Sequence, residues 1–422
     1  MIKISRVTAV CAVSAVALSA AACSSGTNAG SGGAKSLRVS AVATDRAGTE
    51  AVIQAFKQRN PGVNITASYA DTDQYQGTLR TQLSSGTAPD VFFAWPGNGN
   101  AGAIDVLAPG GYLADLSGRS WTSQIPAGIK PVTQVNGKTY IVPLTFVGIG
   151  ALYNKTALSE VGGRIPTTWT QTLALCDAAK AKGKVAFALG DQTDWVTQLV
   201  DYALVPTTVY ATTPDFDQRM KAGSATFAAS GWRTAMDKYL EMNKRGCFSK
   251  DPLGTSFESS VAQLAKGDAV AAVQVTSTLN QLKSEAPQGT RFGLFPLPAT
   301  DNPADTRMPG AAGGAFALNA KARNPGLASR FVDFLATPEA MNLYAGATGN
   351  LPSIPNARFT ADPALQPLID FQKAGRTVPF MDQLWPNPKV QQAHFTGVQN
   401  LFAGKADPAK VLRQMDEAYA QK

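Results

Sequence analysis

Residues 139–154, TYIVPLTFVGIGALYN, are the stretch on which the reading of the fold turns. Residues 140–144 and 149–153 are β-branched, aromatic and apolar enough for buried strands. Pro143, Gly148 and Gly150 argue against one uninterrupted central strand. The stretch reads as two strand pieces joined by a crossing between two lobes, so function is expected in the cleft between those lobes.

Toward the N-terminus the period changes in a regular order. Residues 37–42 alternate as a strand, Val52, Ile53 and Phe56 mark an amphipathic helix that stops at Asn60-Pro61-Gly62, and Val63, Ile65 and Ala67 alternate again. Tyr75, Leu79 and Leu83, four apart, mark the next helix, and the apolar run Val91-Phe92-Phe93-Ala94 suits a strand buried on both faces. This βαβαβ order predicts an open parallel sheet, with ligand-facing loops beyond the strand ends at 44–46 and 95–98.

Toward the C-terminus a helix is expected through Leu173, Cys176 and Ala179, followed by strands at 185–189 and 270–275. The four prolines and three glycines within 296–314 predict a second crossing. A long helix is expected over 326–345, and a third crossing at 351–355. Three crossings imply two discontinuous lobes, 37–147 with 310–360 and 148–309 with 361–422. No internal repeat is evident.

The chain opens with Lys3 and Arg6, an apolar run of about a dozen residues and then Ala20-Ala21-Ala22-Cys23. That is a secretion signal over 1–22, too short to span a bilayer stably. Cys23 after small residues resembles a bacterial lipobox, although Ala20 stands where Leu is usual; soluble secretion is the alternative. Residues 23–36, rich in Ser and Gly, read as a flexible tether with a mean reach of about 20 Å. The expected location is therefore the cell membrane, lipid-anchored on the extracytoplasmic face. Outside the cell, Cys176 and Cys247 are expected to form a disulfide, in principle worth about 4 kcal/mol.

With 16% charged residues, a formal charge of +8 and no basic cluster interleaved with aromatics, nucleic-acid binding is excluded as a working function. His394 is the only histidine and no Cys/His spacing suits zinc, so no metal or cofactor is expected. Gly97-x-Gly99-x-x-Gly102 matches the spacing of a dinucleotide loop, but Pro109-Gly110-Gly111 stops the apolar run that should become the following helix. A polar ligand-facing loop is expected instead.

Short motifs recur in an order that resembles a known family: Phe56-Lys57-Gln58-Arg59-Asn60-Pro61-Gly62-Val63, Gly86-Thr87-Ala88-Pro89-Asp90-Val91-Phe92, Tyr140-Ile141-Val142-Pro143, Leu152-Tyr153-Asn154-Lys155, Thr168-Trp169-Thr170, Ala265-Lys266-Gly267-Asp268-Ala269, Phe331-Val332-Asp333-Phe334-Leu335 and Gly349-Asn350-Leu351-Pro352. The chain is similar, from about residue 37 to its end, to the extracellular solute-binding proteins of ABC importers. The resemblance is to their carbohydrate-binding, maltose-binding-protein-like branch. It implies an α/β, two-lobed periplasmic-binding-protein-like fold of type II, with three interlobe crossings and the ligand in the cleft. It also implies a monomer that closes on a mono- or oligosaccharide and passes it to the transmembrane subunits of an ABC permease.

A pyranose ring has an apolar C–H face that packs on an aromatic ring and a rim of hydroxyls that need hydrogen bonds. Trp95 and Trp195 follow strand ends, Trp232 lies on a helix, Trp385 in a proline-rich loop and Phe146 at the hinge. Each is a candidate for ligand contact, with core packing the alternative. Asp45 and Asn98 lie in the two loops that the family uses for hydroxyl contacts. Asp191 and Gln192 are expected to face them, Gln274 and Thr276 end another strand, and Gly313 and Gly314 would let backbone N–H groups approach a ligand. A secreted glycoside hydrolase would need two carboxylates across the cleft, for which Asp45 and Asp191 are the pair available. A polyamine or organic ion is the other ligand class left open.

Overall fold

A computed structural model describes residues 35–421, so the signal segment, Cys23 and nearly all of the tether lie outside the described residues. Two sheets carry the architecture. The first runs in the order Asn64–Ala70, Ser36–Val42, Val91–Phe93, Ala315–Leu318, Ile141–Pro143. Its first three strands are parallel and follow the predicted βαβαβ order. Ala315–Leu318 then enters antiparallel between Val91–Phe93 and Ile141–Pro143. Helices Arg46–Arg59 and Pro325–Leu335 pack together beside this sheet, with the Phe56 ring 5.1 Å from that of Phe331.

The second sheet is built on one strand, Thr145–Asn154, whose ten residues are all buried. It pairs antiparallel with Ala269–Val275, Phe292–Phe295, Met308–Ala312 and Leu351–Pro352. The strand runs straight through Gly148 and Gly150, where a break was expected. These glycines admit close packing: a Cβ on Gly148 would lie 2.7 Å from Leu368 Cδ1, and one on Gly150 would lie 2.9 Å from both Met308 Cε and the Phe295 carbonyl oxygen. Because pairing begins at Thr145 and includes Met308–Ala312, residues 145–147 and 310–312 belong to the second sheet rather than the first lobe as expected. An apolar run carries no mark of where its partner changes.

The chain passes between the sheets at Leu144, at Gly313-Gly314 and at Leu351–Pro352. The single helix expected over 326–345 is two, Pro325–Leu335 and Pro338–Thr348. Thr337 caps the second by accepting from the Ala340 N–H, and Pro338 takes a first-turn position where its missing N–H costs nothing. Cys176, on helix Trp169–Ala181, is bridged to Cys247 just beyond helix Trp232–Arg245, with Cα atoms 4.7 Å apart.

Candidate functional site

A cavity of about 890 Å³ opens between residues of the two sheets and their helices. Of the residues expected to bind, Asp45, Trp95, Trp195, Gly313 and Gly314 line it. Asp45 precedes helix Arg46–Arg59, and its carboxylate accepts from the Tyr344 hydroxyl at 2.6 Å and the Thr44 hydroxyl at 3.1 Å. Burial holds that carboxyl above its ordinary range despite these bonds. Trp95 is half-buried, its ring 4.8 Å from Phe93 and 5.9 Å from Tyr75; Trp195, also half-buried, lies 4.9 Å from the Phe257 ring.

The N–H groups of the two glycines are taken up within the protein rather than left for a ligand. The Gly313 N–H bonds to the Thr145 carbonyl at 2.9 Å and the Gly314 N–H to the Thr145 hydroxyl at 2.7 Å, so both tie the second crossing to the first. A Cβ on Gly314 would lie 3.0 Å from Asp45 Oδ1, which accounts for glycine there.

Eight expected residues are absent from this wall. Val147 and Ile149 line the cavity, so strand alternation turns Phe146 to the opposite face, against Gly310. Val275 likewise faces the cavity while Gln274 is buried behind it. Thr276 is consumed structurally, accepting from the Gly148 N–H at 3.1 Å and donating to Asn350 at 2.9 Å. Asn98 donates to the Pro386 carbonyl. Asp191 is wholly buried and accepts from the Tyr239 hydroxyl at 3.0 Å; burial first, with the like charge of Asp201 adding, pushes its carboxyl up to about 7. Gln192 is exposed and lines a smaller adjoining cavity of about 610 Å³. Trp232 and Trp385 are core residues, 6.0 Å apart in a cluster with Tyr202 and Phe227. With Asp191 off the wall, the carboxylate pair considered for a glycosidase is not present.

The segment after Phe380 supplies what the sequence reading missed. Phe380, Asp382, Gln383 and Gln391 all line the cavity, and Gln391 donates to Asp382 at 3.1 Å. Burial pushes the Asp382 carboxyl up to about 6. This segment explains the Gly97-x-Gly99 pattern. A Cβ on Gly99 would lie 2.1 Å from Asp382 Oδ2, and one on Gly97 would lie 2.1 Å from the Gln383 carbonyl oxygen. Gly97 thus admits the backbone of the turn Met381–Leu384 and Gly99 the Asp382 carboxylate, while Asn100 and Ala101 of the same loop reach the cavity. Gly102 lies beneath the Trp95 ring. Tyr202, Phe257 and Phe395 add aromatic surface. Only the helix cap at Ser256, placing Phe257 at a helix start, was legible locally.

The wall thus combines aromatic rings with carboxylates and amides, suited to a solute having both apolar faces and hydrogen-bonding groups. Among the described residues no group of three or more His, Cys, Asp or Glu is arranged to hold a metal ion, and no helix is long and apolar enough to cross a membrane.

Residues 51–367 match the family model of the bacterial extracellular solute-binding proteins, three quarters of the chain. The chain belongs to that family. This solute-binding protein is 24% identical over 360 residues to a multiple sugar-binding protein of Streptococcus mutans, spanning 84% of this chain and 82% of the relative. Its fold is shared with a structure solved in work on xylan utilisation by Caldanaerobius polysaccharolyticus, with TM-score 0.78, 20% identity and coverage of 90% and 99% of the two chains. It is shared too with RafE in complex with raffinose, with TM-score 0.75, 19% identity and coverage of 91% and 98%. Both likenesses establish the two-lobed solute-binding architecture for this chain.

Proposed function

We propose that this solute-binding protein captures a mono- or oligosaccharide by closure of its two lobes and delivers it to the membrane subunits of an ABC permease, as a monomer and without catalysing a reaction. The observation that carries this reading is the pairing of half-buried Trp95 and Trp195 with carboxylates and amides around one cavity. Stacking surface and hydroxyl partners are what a pyranose requires. The Streptococcus mutans relative, named for multiple sugars, and the raffinose-bound RafE support the same ligand class. An organic cation is the second reading, favoured by five wall carboxylates, Asp45, Glu50, Asp73, Asp194 and Asp382, against Arg46 and Lys389.

The test is thermal unfolding over a panel of sugars, polyamines and organic acids. A ligand that binds only the folded state at a hundred times its Kd adds about 2.7 kcal/mol, so the melting temperature is expected to rise by a few degrees with a sugar. Trp95→Ala and Trp195→Ala are each expected to remove most of that shift. A shift with charged solutes and none with sugars would overturn the saccharide reading and leave the family assignment untouched.

Cys23 is proposed to carry a lipid that holds the protein on the extracytoplasmic face. Cys23→Ala is expected to release a folded protein into the soluble fraction; a mutant still found with membranes would refute anchoring through this residue.

A further inference from the structure

One carboxylate fixes the polarity of two amides on the cavity wall. Asp382, in the turn Met381–Leu384, accepts at Oδ2 from Gln391 Nε2 at 3.1 Å. The same nitrogen donates to Gln198 Oε1, also at 3.1 Å, across a sequence separation of 193 residues. An ionised carboxylate can only accept, so the amide atom that meets it is the nitrogen, and the atom this nitrogen meets on Gln198 is the oxygen. Burial pushes the Asp382 carboxyl up to about 6, which leaves it ionised at slightly alkaline pH.

Both hydrogens of Gln391 Nε2 are spent in these bonds. Gln391 Oε1 and Gln198 Nε2 make no hydrogen bond among the described residues, both side chains line the cavity, and neither atom is sealed from solvent. The wall therefore presents an acceptor and a donor side by side. The loop after the third strand is prepared in the same manner. Asn100, 7% exposed and on the same wall, takes the Gly102 N–H on Oδ1 at 2.9 Å, which turns its Nδ2 away from that backbone as a further fixed donor.

From these bonds we infer that Gln198 and Gln391 are the specificity-determining pair of the cavity, selecting a sugar hydroxyl over a charged group, and that Asp382 acts through them as a positioning residue. The inference rests on the saccharide reading above and deepens it. A hydroxyl accepts and donates at once, so one hydroxyl satisfies Gln198 Nε2 and Gln391 Oε1 together. An ammonium has only donors and leaves the Gln198 N–H facing another N–H; a carboxylate has only acceptors and leaves Gln391 Oε1 facing another oxygen. Gln391 is 8% exposed, so each mismatch strands a polar group that water reaches poorly, which is how a polar pocket rejects the wrong ligand. The pair speaks against an organic cation despite the carboxylates around it.

Calorimetric titration at slightly alkaline pH compares neutral raffinose, xylotriose and the N-acetylated chitin trimer with spermidine and a galacturonate trimer. At least one neutral sugar is expected to bind, and neither charged probe. Gln198→Glu keeps an oxygen for Gln391 but turns an acceptor toward the ligand in place of the donor. It should weaken the best neutral sugar about tenfold while the unliganded protein melts as wild type does. Asp382→Leu removes the acceptor that orients Gln391 and should weaken the same sugar about tenfold. Asp382→Asn still offers an oxygen and should recover most of that loss. If Asp382→Leu does not fold, Gln198→Glu decides alone. Wild-type affinity in Gln198→Glu, an Asp382→Asn protein as weak as Asp382→Leu, or a charged probe bound as tightly as the neutral sugars would overturn the inference while the saccharide reading stands. No binding by any sugar, these or the earlier panel, would remove both.

Discussion

Asp201→Ala is expected to lower the stability of the protein by about 3–5 kcal/mol, the cost of leaving one member of a buried pair without its partner. Asp201 and His394 are both fully buried, and His394 Nε2 lies 2.9 Å from Asp201 Oδ2. The contact joins helix Leu199–Val205 to helix Lys389–Phe402, elements far apart in sequence. Burial raises the Asp201 carboxyl even though its bond to His394 opposes the rise, a sign that the site is costly for an unpaired charge. Denaturant unfolding should show a lower midpoint with an unchanged slope. The double variant Asp201→Leu/His394→Phe should recover most of the loss. The His394 ring already stacks parallel to Tyr202 at 5.8 Å and lies 5.5 Å from Trp232, so a benzene ring finds the same surroundings. If the double variant is as unstable as the single one, the pair contributes more than its mutual satisfaction.

Trp232→Ala is expected to cost about 3–5 kcal/mol in the absence of any ligand, as truncation of a buried tryptophan does. Its side chain is among the largest fully buried ones, and it meets Phe227 edge-on at 5.5 Å and Tyr202 at 6.3 Å. Trp95→Ala, removing a half-buried ring, should lose much less, and the two melting temperatures measured without ligand decide the matter. Trp95→Ala should then lose the sugar-induced shift and Trp232→Ala should keep it. A Trp232→Ala protein that melts like wild type but no longer responds to sugar would return this residue to the binding wall.

Tryptophan illustrates where reading the chain by itself stops. Trp95 and Trp195 were legible as wall residues because each follows a strand or its end loop, and the C-terminal edge of an open sheet is where ligands gather. Trp232 heads an amphipathic helix, and which neighbour covers that helix is a property of packing. Here the covering elements are Phe227, Trp385 and the helix bearing His394, the last two more than a hundred residues downstream.

The elements of the fold were determined locally. Period-two alternation in residues 37–42, fourfold spacing of Tyr75, Leu79 and Leu83, and stop signals such as Asn60-Pro61-Gly62 are satisfied by near neighbours, so they survive into the structure as Ser36–Val42, Thr72–Ser85 and the end of Arg46–Arg59. Tertiary structure alone decided which side of each strand meets the cavity. One residue of register separates Val147 and Ile149 on the wall from Phe146 behind it, and that choice belongs to the pairing partners of Thr145–Asn154. The same holds for the segment after Phe380. Nothing in its local sequence announces that Asp382 and Gln383 will lie against Gly97 and Gly99, because the contact depends on two loops nearly three hundred residues apart being brought together by the folding of everything between them.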